Sequence, residues 1–335
     1  MKKIVGILAA AAVATSVFAA DVSAKVKLEG NLFKYAGGEV SAFDINKPSD
    51  QHWNPIFNLS TSTDRAGAEF AVFTGSLTSN GSWNKAFENG TNRFKIWLSP
   101  VDGLKFIFGL NGFNLNQEHI NWSKSDSGIE DYGYSLNFAK DGFSLDLGLL
   151  PGWATPWMKM PNGGNVSIGA TALKVAYGAD FGTIGAIFVA KDTFKDLKFG
   201  AAYANSFGSV NMFANVLGYY KDSFNEVAVE LYAEGSADAF AWKVFPVIRI
   251  FPSKTGADII GAKLFARIDY TIDTWGIYLY IEDEDLTNAF KGVKPLVVKP
   301  GVKGNIGGAD WDVAVKFDLD KEFAISVPVE FTFAW

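Results

Sequence analysis

The sequence predicts an all-β membrane protein, a transmembrane antiparallel β-barrel of about 16–18 strands. Three observations predict it. Apolar and polar residues alternate with period two in segment after segment. Turn-rich clusters separate these segments into runs of roughly 9–12 residues, a length that suits a tilted strand crossing a bilayer. The chain also opens with the make-up of an export leader.

That opening, MKKIVGILAAAAVATSVFAADVSA, places Lys2 and Lys3 before an apolar run from Ile4 to Val17 and ends its core on Val17-Phe18-Ala19. Small or compact residues stand where a signal peptidase reads them, so residues 1–19 are expected to be a secretory signal peptide and residues 20–335 a single barrel domain. The apolar core is shorter than the ~20 residues of a spanning helix. Loss of Lys2 and Lys3 would take the formal charge from −6 to −8. An acidic balance argues against nucleic acid as a partner. The absence of cysteine excludes disulfides, thiolate metal sites and a thiol nucleophile.

In chain order, Leu104, Phe106, Phe108 and Leu110 alternate with Lys105, Ile107, Gly109 and Asn111, and Phe143, Leu145, Leu147 and Leu149 with Ser144, Asp146 and Gly148. Val227, Val229 and Leu231 oppose Glu226, Ala228 and Glu230. Phe240, Trp242, Val244, Ile248 and Ile250 oppose Ala241, Lys243 and Arg249. Leu264, Ala266, Ile268, Tyr270 and Ile272 alternate with Lys263, Arg267, Asp269 and Thr271, and Trp311, Val313, Val315, Phe317 and Leu319 with Asp312, Ala314, Lys316 and Asp318. Such a period sends one set of side chains to each face of a strand. Turn signals fall between the runs, as in SPVDG at 99–103, AKDG at 139–142 and GADFG at 178–182. Segments 22–34, 54–62, 165–178, 207–218 and 294–308 carry the weakest alternation, and 40–54, 113–131, 151–165 and 282–294 read as longer loops. Pro246 and Pro328 fall inside strands and lack a ladder donor, which predicts a bulge or weakened pairing at each.

A soluble sandwich would turn the apolar face inward, and a membrane barrel turns it outward to lipid. The export leader, the absence of cysteine and the number of consecutive strands ending in Phe, Trp and Tyr favour the barrel. Closure has a physical reason: in hydrocarbon each orphan backbone group costs several kcal/mol, so a free sheet edge is not viable. An even strand count then puts both termini on the periplasmic side.

The last residues, FAISVPVEFTFAW at 323–335, combine alternation with a terminal aromatic. With the leader and the strand series, they make the chain resemble a Gram-negative-type outer-membrane porin. The resemblance implies an outer-membrane channel for passive diffusion of small hydrophilic solutes, set among outer-membrane lipids. It also implies recognition of Val327, Val329, Phe331, Phe333 and Trp335 by the barrel-assembly machinery, although phenylalanine is the usual last residue. A homotrimer is compatible with it. The leader and the following ADVSAKVKLEGNLF are similar to the porin-like major outer-sheath proteins of spirochaetes. The competing expectation is a surface-exposed structural or adhesive barrel whose loops close the lumen.

By parity, Arg93, Lys95, Lys105, Asp146, Glu226, Glu230, Lys243, Arg249, Lys263, Arg267, Asp269 and Lys316 are expected to line a pore. Both signs are present, so they can either set a transverse field or pair with one another. In porins of about 16 strands the loop after the fifth strand narrows the lumen. The resembling loop is 113–131, where Glu118, Asp126, Glu130 and Asp131 would make an acidic constriction, with an ordinary surface loop as the alternative. Trp153 and Trp157 of 151–165 are candidates to stack on sugars or pack on the rim. No enzyme activity and no cofactor are expected: His52 and His119 are the two histidines, too few and too far apart for a zinc site. The run Glu282 to Asp285 lacks the glycine-containing spacing of a calcium loop.

Overall fold

A computed structural model describes residues 21–44, 55–73, 93–116, 119–120, 123–124, 128–150, 170–191, 194–287, 296–319 and 323–334. The predicted leader lies outside them. The strands are β1 Asp21–Ala36, β2 Glu39–Asp44, β3 Pro55–Ser62, β4 Ala66–Phe73, β5 Arg93–Val101, β6 Leu104–Asn114, β7 His119–Ile120, β8 Ser123–Lys124, β9 Gly128–Lys140, β10 Phe143–Leu150 and β11 Ala170–Ala179. They continue with β12 Gly182–Lys191, β13 Asp196–Phe207, β14 Val210–Lys221, β15 Ser223–Ala237, β16 Phe240–Ile250, β17 Ile260–Ile272, β18 Trp275–Asp283, β19 Leu296–Ile306, β20 Ala309–Ala314, β21 Lys316–Asp318 and β22 Ala324–Ala334. No helix among the described residues is long and apolar enough to cross a membrane, which says nothing about crossing by strands.

Among the described residues twenty strands form one antiparallel sheet, and β7 pairs with β8 apart from it. The sheet closes on itself: β1 pairs with β22, as in Lys27↔Thr332, and on its other side with β2 and β3, as in Phe33↔Ala42 and Val22↔Leu59. Thus β2 and β3 are two pieces of one wall strand, and β20 and β21, both lodged between β19 and β22, are two pieces of another. Twenty strands therefore occupy eighteen positions around a closed wall, at the upper end of the predicted range.

The turns explain the polarity of the barrel. At the end where β1 begins and β22 finishes, the strands are joined by eight short connections, at 63–65, 102–103, 141–142, 180–181, 208–209, 238–239, 273–274 and 307–308. A type I′ hairpin needs positive φ at both central residues. Asp141 and Gly142 have φ of 50° and 80° there, and Gly307 and Gly308 have 59° and 88°. At the other end β4, β6, β10 and β18 finish, and longer stretches of chain separate each from the next wall strand.

Both prolines mark breaks in pairing. Opposite Pro328 the β1–β22 register shifts between Asn31 and Lys34. Along β15–β16 the ladder skips from Glu230↔Val247 to Ala233↔Val244, the gap that contains Pro246, while Pro246 still pairs with Leu264 on the other side.

One face of the wall presents large apolar side chains to the surroundings, including Val216, Leu231, Ile248, Ile268, Ile277, Leu279, Phe331 and Phe333. The opposite face holds buried clusters. Phe213, Tyr232, Phe245 and Phe265 form a row across β14 to β17, with Phe213 and Tyr232 stacked at 5.0 Å and Phe245 and Phe265 at 5.9 Å. Phe113, Leu150, Ala170, Ala172, Ile187 and Val189 form a second group. The expectation of a charged inner face is thus incomplete, because part of that face is aromatic and covered.

Candidate functional site

The interior is built from the residues that share the face of the covered aromatic row. Register puts Lys243, Phe245, Val247 and Arg249 of β16 on that face, against Arg267, Phe265, Lys263 and Gly261 of β17. The same alternation turns Lys95, Lys105, Asp146, Glu226, Glu230, Asp269 and Lys316 inward. Arg93 at the start of β5 lies 3.5 Å from Glu130.

These charges are mostly answered across or along the wall. Arg267 donates through Nε and Nη2 to both carboxylate oxygens of Asp269, each at 2.8 Å. Lys303 reaches Asp269 as well, and the Arg267 guanidinium lies 4.3 Å from the Tyr278 ring centre. Tyr278 donates its hydroxyl to Asp312 at 2.7 Å, and Lys299 stands 3.8 Å from the same carboxylate. Elsewhere Arg249 pairs with Glu226 at 3.3 Å, Lys243 with Glu234 at 3.0 Å, Lys316 with Asp318 at 2.9 Å and Lys174 with Asp146 at 3.9 Å. Lys105 sits over the Trp97 ring at 4.6 Å. Paired charges of both signs keep such a wall hydrated without a large net field.

Sequence reasoning missed Lys174, Lys198, Glu234, Lys299 and Lys303. Lys299 and Lys303 belong to β19, where Val297 and Gly301 interrupt the charged face and Pro300 and Gly304 the apolar one. Their even spacing was the available signal.

The segment after the fifth wall strand enters the interior. Leu115 packs against the Phe113 group and approaches Gly185 and Gly200. Asn116 donates from Nδ2 to Asn215 Oδ1 at 3.2 Å, and Asn215 Nδ2 donates to the Asn116 carbonyl at 3.2 Å and to Glu230 Oε2 at 3.0 Å. Further along, β7 runs beside β16 and β17. The chain therefore leaves β6, passes over β12 to β14 and reaches the opposite part of the wall. Asn215 is fully buried and Glu230 is 1% exposed, so Glu230 lies beneath this crossing.

The acidic residues expected in that loop are distributed differently. Glu130 and Asp131 belong to β9, opposite Gly112 and Asn111 of β6, because β9 begins pairing at Gly128. Glu118, Asp126, Trp153, Trp157, His52 and Trp335 lie outside the described residues, and His119 falls in β7. Val327, Val329, Phe331 and Phe333 share the outer face of β22.

Two recesses flank the crossing. One, about 310 Å³, is lined by Lys191, Asp196, Lys198, Tyr219 and Glu226 towards the long-loop end. The other, about 490 Å³, lies towards the short-turn end and is lined by Asn116, Thr183, Ser206, Asn211, Tyr232 and Glu234, with Leu115, Ala204 and Phe213.

No protein-family model matches the chain, and no curated protein sequence does. Among solved structures, Pseudomonas aeruginosa OccK3 (OpdO) aligns with a TM-score of 0.53 over 94% of this chain and 95% of that one, at 9% identity. A Rhodobacter blastica porin variant aligns with a TM-score of 0.46 over 94% of this chain and 100% of that one, at 11% identity. A closed eighteen-position wall, apolar outside and charged inside, together with the OccK3 alignment, gives this chain the antiparallel β-barrel fold of the outer-membrane porins.

Proposed function

We propose that this chain is an outer-membrane, porin-like channel through which small hydrophilic solutes diffuse passively. One observation carries the reading: eighteen wall positions enclose an interior lined by charged side chains of both signs. Barrels of about 16–18 strands are wide enough to hold water inside, whereas ~8-stranded ones fill with side chains. The apolar outer face suits hydrocarbon, and closure leaves no strand edge to satisfy.

In this reading residues 1–19 direct export and are removed. The β22 residues with Trp335 address the chain to the barrel-assembly machinery, outer-membrane lipids surround it, and three copies can associate. The inward residues predicted from sequence act as the pore lining, except Glu230, which lies covered beneath the crossing, and the segment after β6 narrows the pore. No step of such a function calls for a catalytic group.

That same crossing segment is what favours the rival, an adhesive or structural barrel with a closed lumen. Purified protein refolded into a planar bilayer decides between them. Stepwise openings on the order of a nanosiemens are expected of the 16–18-strand class; insertion without conductance favours the rival.

A further inference from the structure

The two recesses beside the crossing segment differ in chemistry, and the difference points to a solute class. The recess towards the long loops is ionic: Lys191, Lys198, Asp196 and Glu226 line it. The recess towards the short turns presents amides and hydroxyls, from Asn116, Asn211, Thr183, Ser206 and Tyr232. Glu234 is the single ionisable carboxylate lining it. Its charge is met by Lys243 at 3.0 Å, by Asn211 Nδ2 at 3.2 Å and by the Tyr232 hydroxyl at 2.9 Å. What faces the space is therefore a set of neutral groups whose hydroxyl and amide oxygens accept, with the second N–H of Asn211 and the Thr183 hydroxyl as donors.

We infer that this recess is a binding subsite for neutral polyhydroxylated solutes of the mono- or disaccharide class. The inference rests on the channel reading and names what that channel holds in passing. A sugar hydroxyl is donor and acceptor at once. Carboxamides, with two donors and a two-lone-pair acceptor, and rotatable hydroxyls satisfy it from either side. An ion would find no unanswered charge here and would lose hydration on entry. Leu115, Ala204 and Phe213 supply an apolar floor beneath the polar groups, the usual composition of a small-molecule site. At about 490 Å³ the space falls within the range of such sites, roughly 300–1,000 Å³, and has room for one or two sugar rings. Ser206 and Asn211 are already joined, with Ser206 Oγ donating to Asn211 Oδ1 at 2.7 Å, so the polar edge is preorganised.

The test uses the refolded full barrel in a planar bilayer with potassium chloride. Sucrose is expected to reduce the ion current saturably, and more readily when added from the short-turn side, nearer to which the recess lies. A poly(ethylene glycol) of equal hydrodynamic radius, which has no hydroxyl donors along its length, is expected to lower the current without saturating. Asn211→Ala and Ser206→Ala should each weaken sucrose block about fivefold, the effect of one lost hydrogen bond. Ile184→Ala, on the outer face, should leave it unchanged. Equal action of sucrose and the glycol polymer, or block that is indifferent to Asn211→Ala in a barrel that runs as a folded species on unheated gels and shifts on heating, overturns the subsite. A barrel that carries no ion current refutes the channel reading separately. In that event calorimetric titration of the refolded protein with sucrose still decides the subsite: heat of binding, reduced by Asn211→Ala, sustains it, and absence of heat overturns it.

Discussion

Replacing Asn215 by alanine should release the segment that crosses the interior. Asn215 is fully buried, exchanges two hydrogen bonds with Asn116 and donates another to the Glu230 carboxylate. Only the two bonds with Asn116 hold the segment, because the bond to Glu230 joins neighbouring wall strands; at about 1 kcal/mol net for each neutral hydrogen bond, about 2 kcal/mol of anchorage is at stake. At 1.4 kcal/mol per tenfold, that shifts the docked-to-released ratio by roughly thirtyfold. Asn116→Ala removes only the side-chain amide and keeps the carbonyl that accepts from Asn215, so it should cost about 1 kcal/mol. Single-channel recording reads the outcome. Asn215→Ala should raise conductance and open-state noise well above wild type, with Asn116→Ala between them. The temperature of the gel shift should move little if the wall stays intact. Unchanged conductance and noise in a folded Asn215→Ala barrel, or a larger effect from Asn116→Ala, would refute the reasoning.

Further outcomes follow from other parts of the wall. Arg249→Glu and Arg267→Glu should move the reversal potential towards cations in a salt gradient, since each turns an inward cation into an anion beside a carboxylate, Glu226 or Asp269; no movement would take both residues out of the conduction path. Leu279→Arg, on the outer face midway along β18, should cost about 2–4 kcal/mol in refolding into lipid, as a cation does at the bilayer midplane. A cost near zero would mean that this face meets water. Gly301→Val should destabilise the barrel by about 1–3 kcal/mol, because the Tyr278 ring occupies the space its Cβ would enter; a urea midpoint equal to wild type would show that the ring can yield.

The strands differ in how plainly they could be read from residue order. β17 was legible because its outward positions, Leu264, Ala266, Ile268, Tyr270 and Ile272, are all apolar and its inward ones include Lys263, Arg267 and Asp269. β14 was not, since Phe213 and Leu217 are apolar on the inner face as well. They are apolar there because Phe213 packs into the row that continues through Tyr232 and Phe245, and Leu217 stands beside Leu115 at Gly200. β19 failed for another reason: Val297 and Gly301 break its charged face and Pro300 and Gly304 its apolar one. The acidic residues placed in the loop at 113–131 show a third limit, for Glu130 and Asp131 are polar enough to read as loop yet pair in register with β6.

Period-two alternation is local, so the order of residues settles the all-β class, the turn positions and which side chains share a face. It also limits the strand number to a narrow range. Closure at eighteen positions, the division of two wall strands into β2 with β3 and β20 with β21, and the ion-pair partners depend on cross-strand register, which brings together residues far apart in the chain. Arg267 and Asp269 are neighbours on one strand, yet Lys303, their third member, arrives from β19. The path of residues 115–116 across the interior is non-local in the same way. It is held by Asn215 and covers Glu230, about a hundred residues further along the chain, and no pattern within a single segment encodes where it docks.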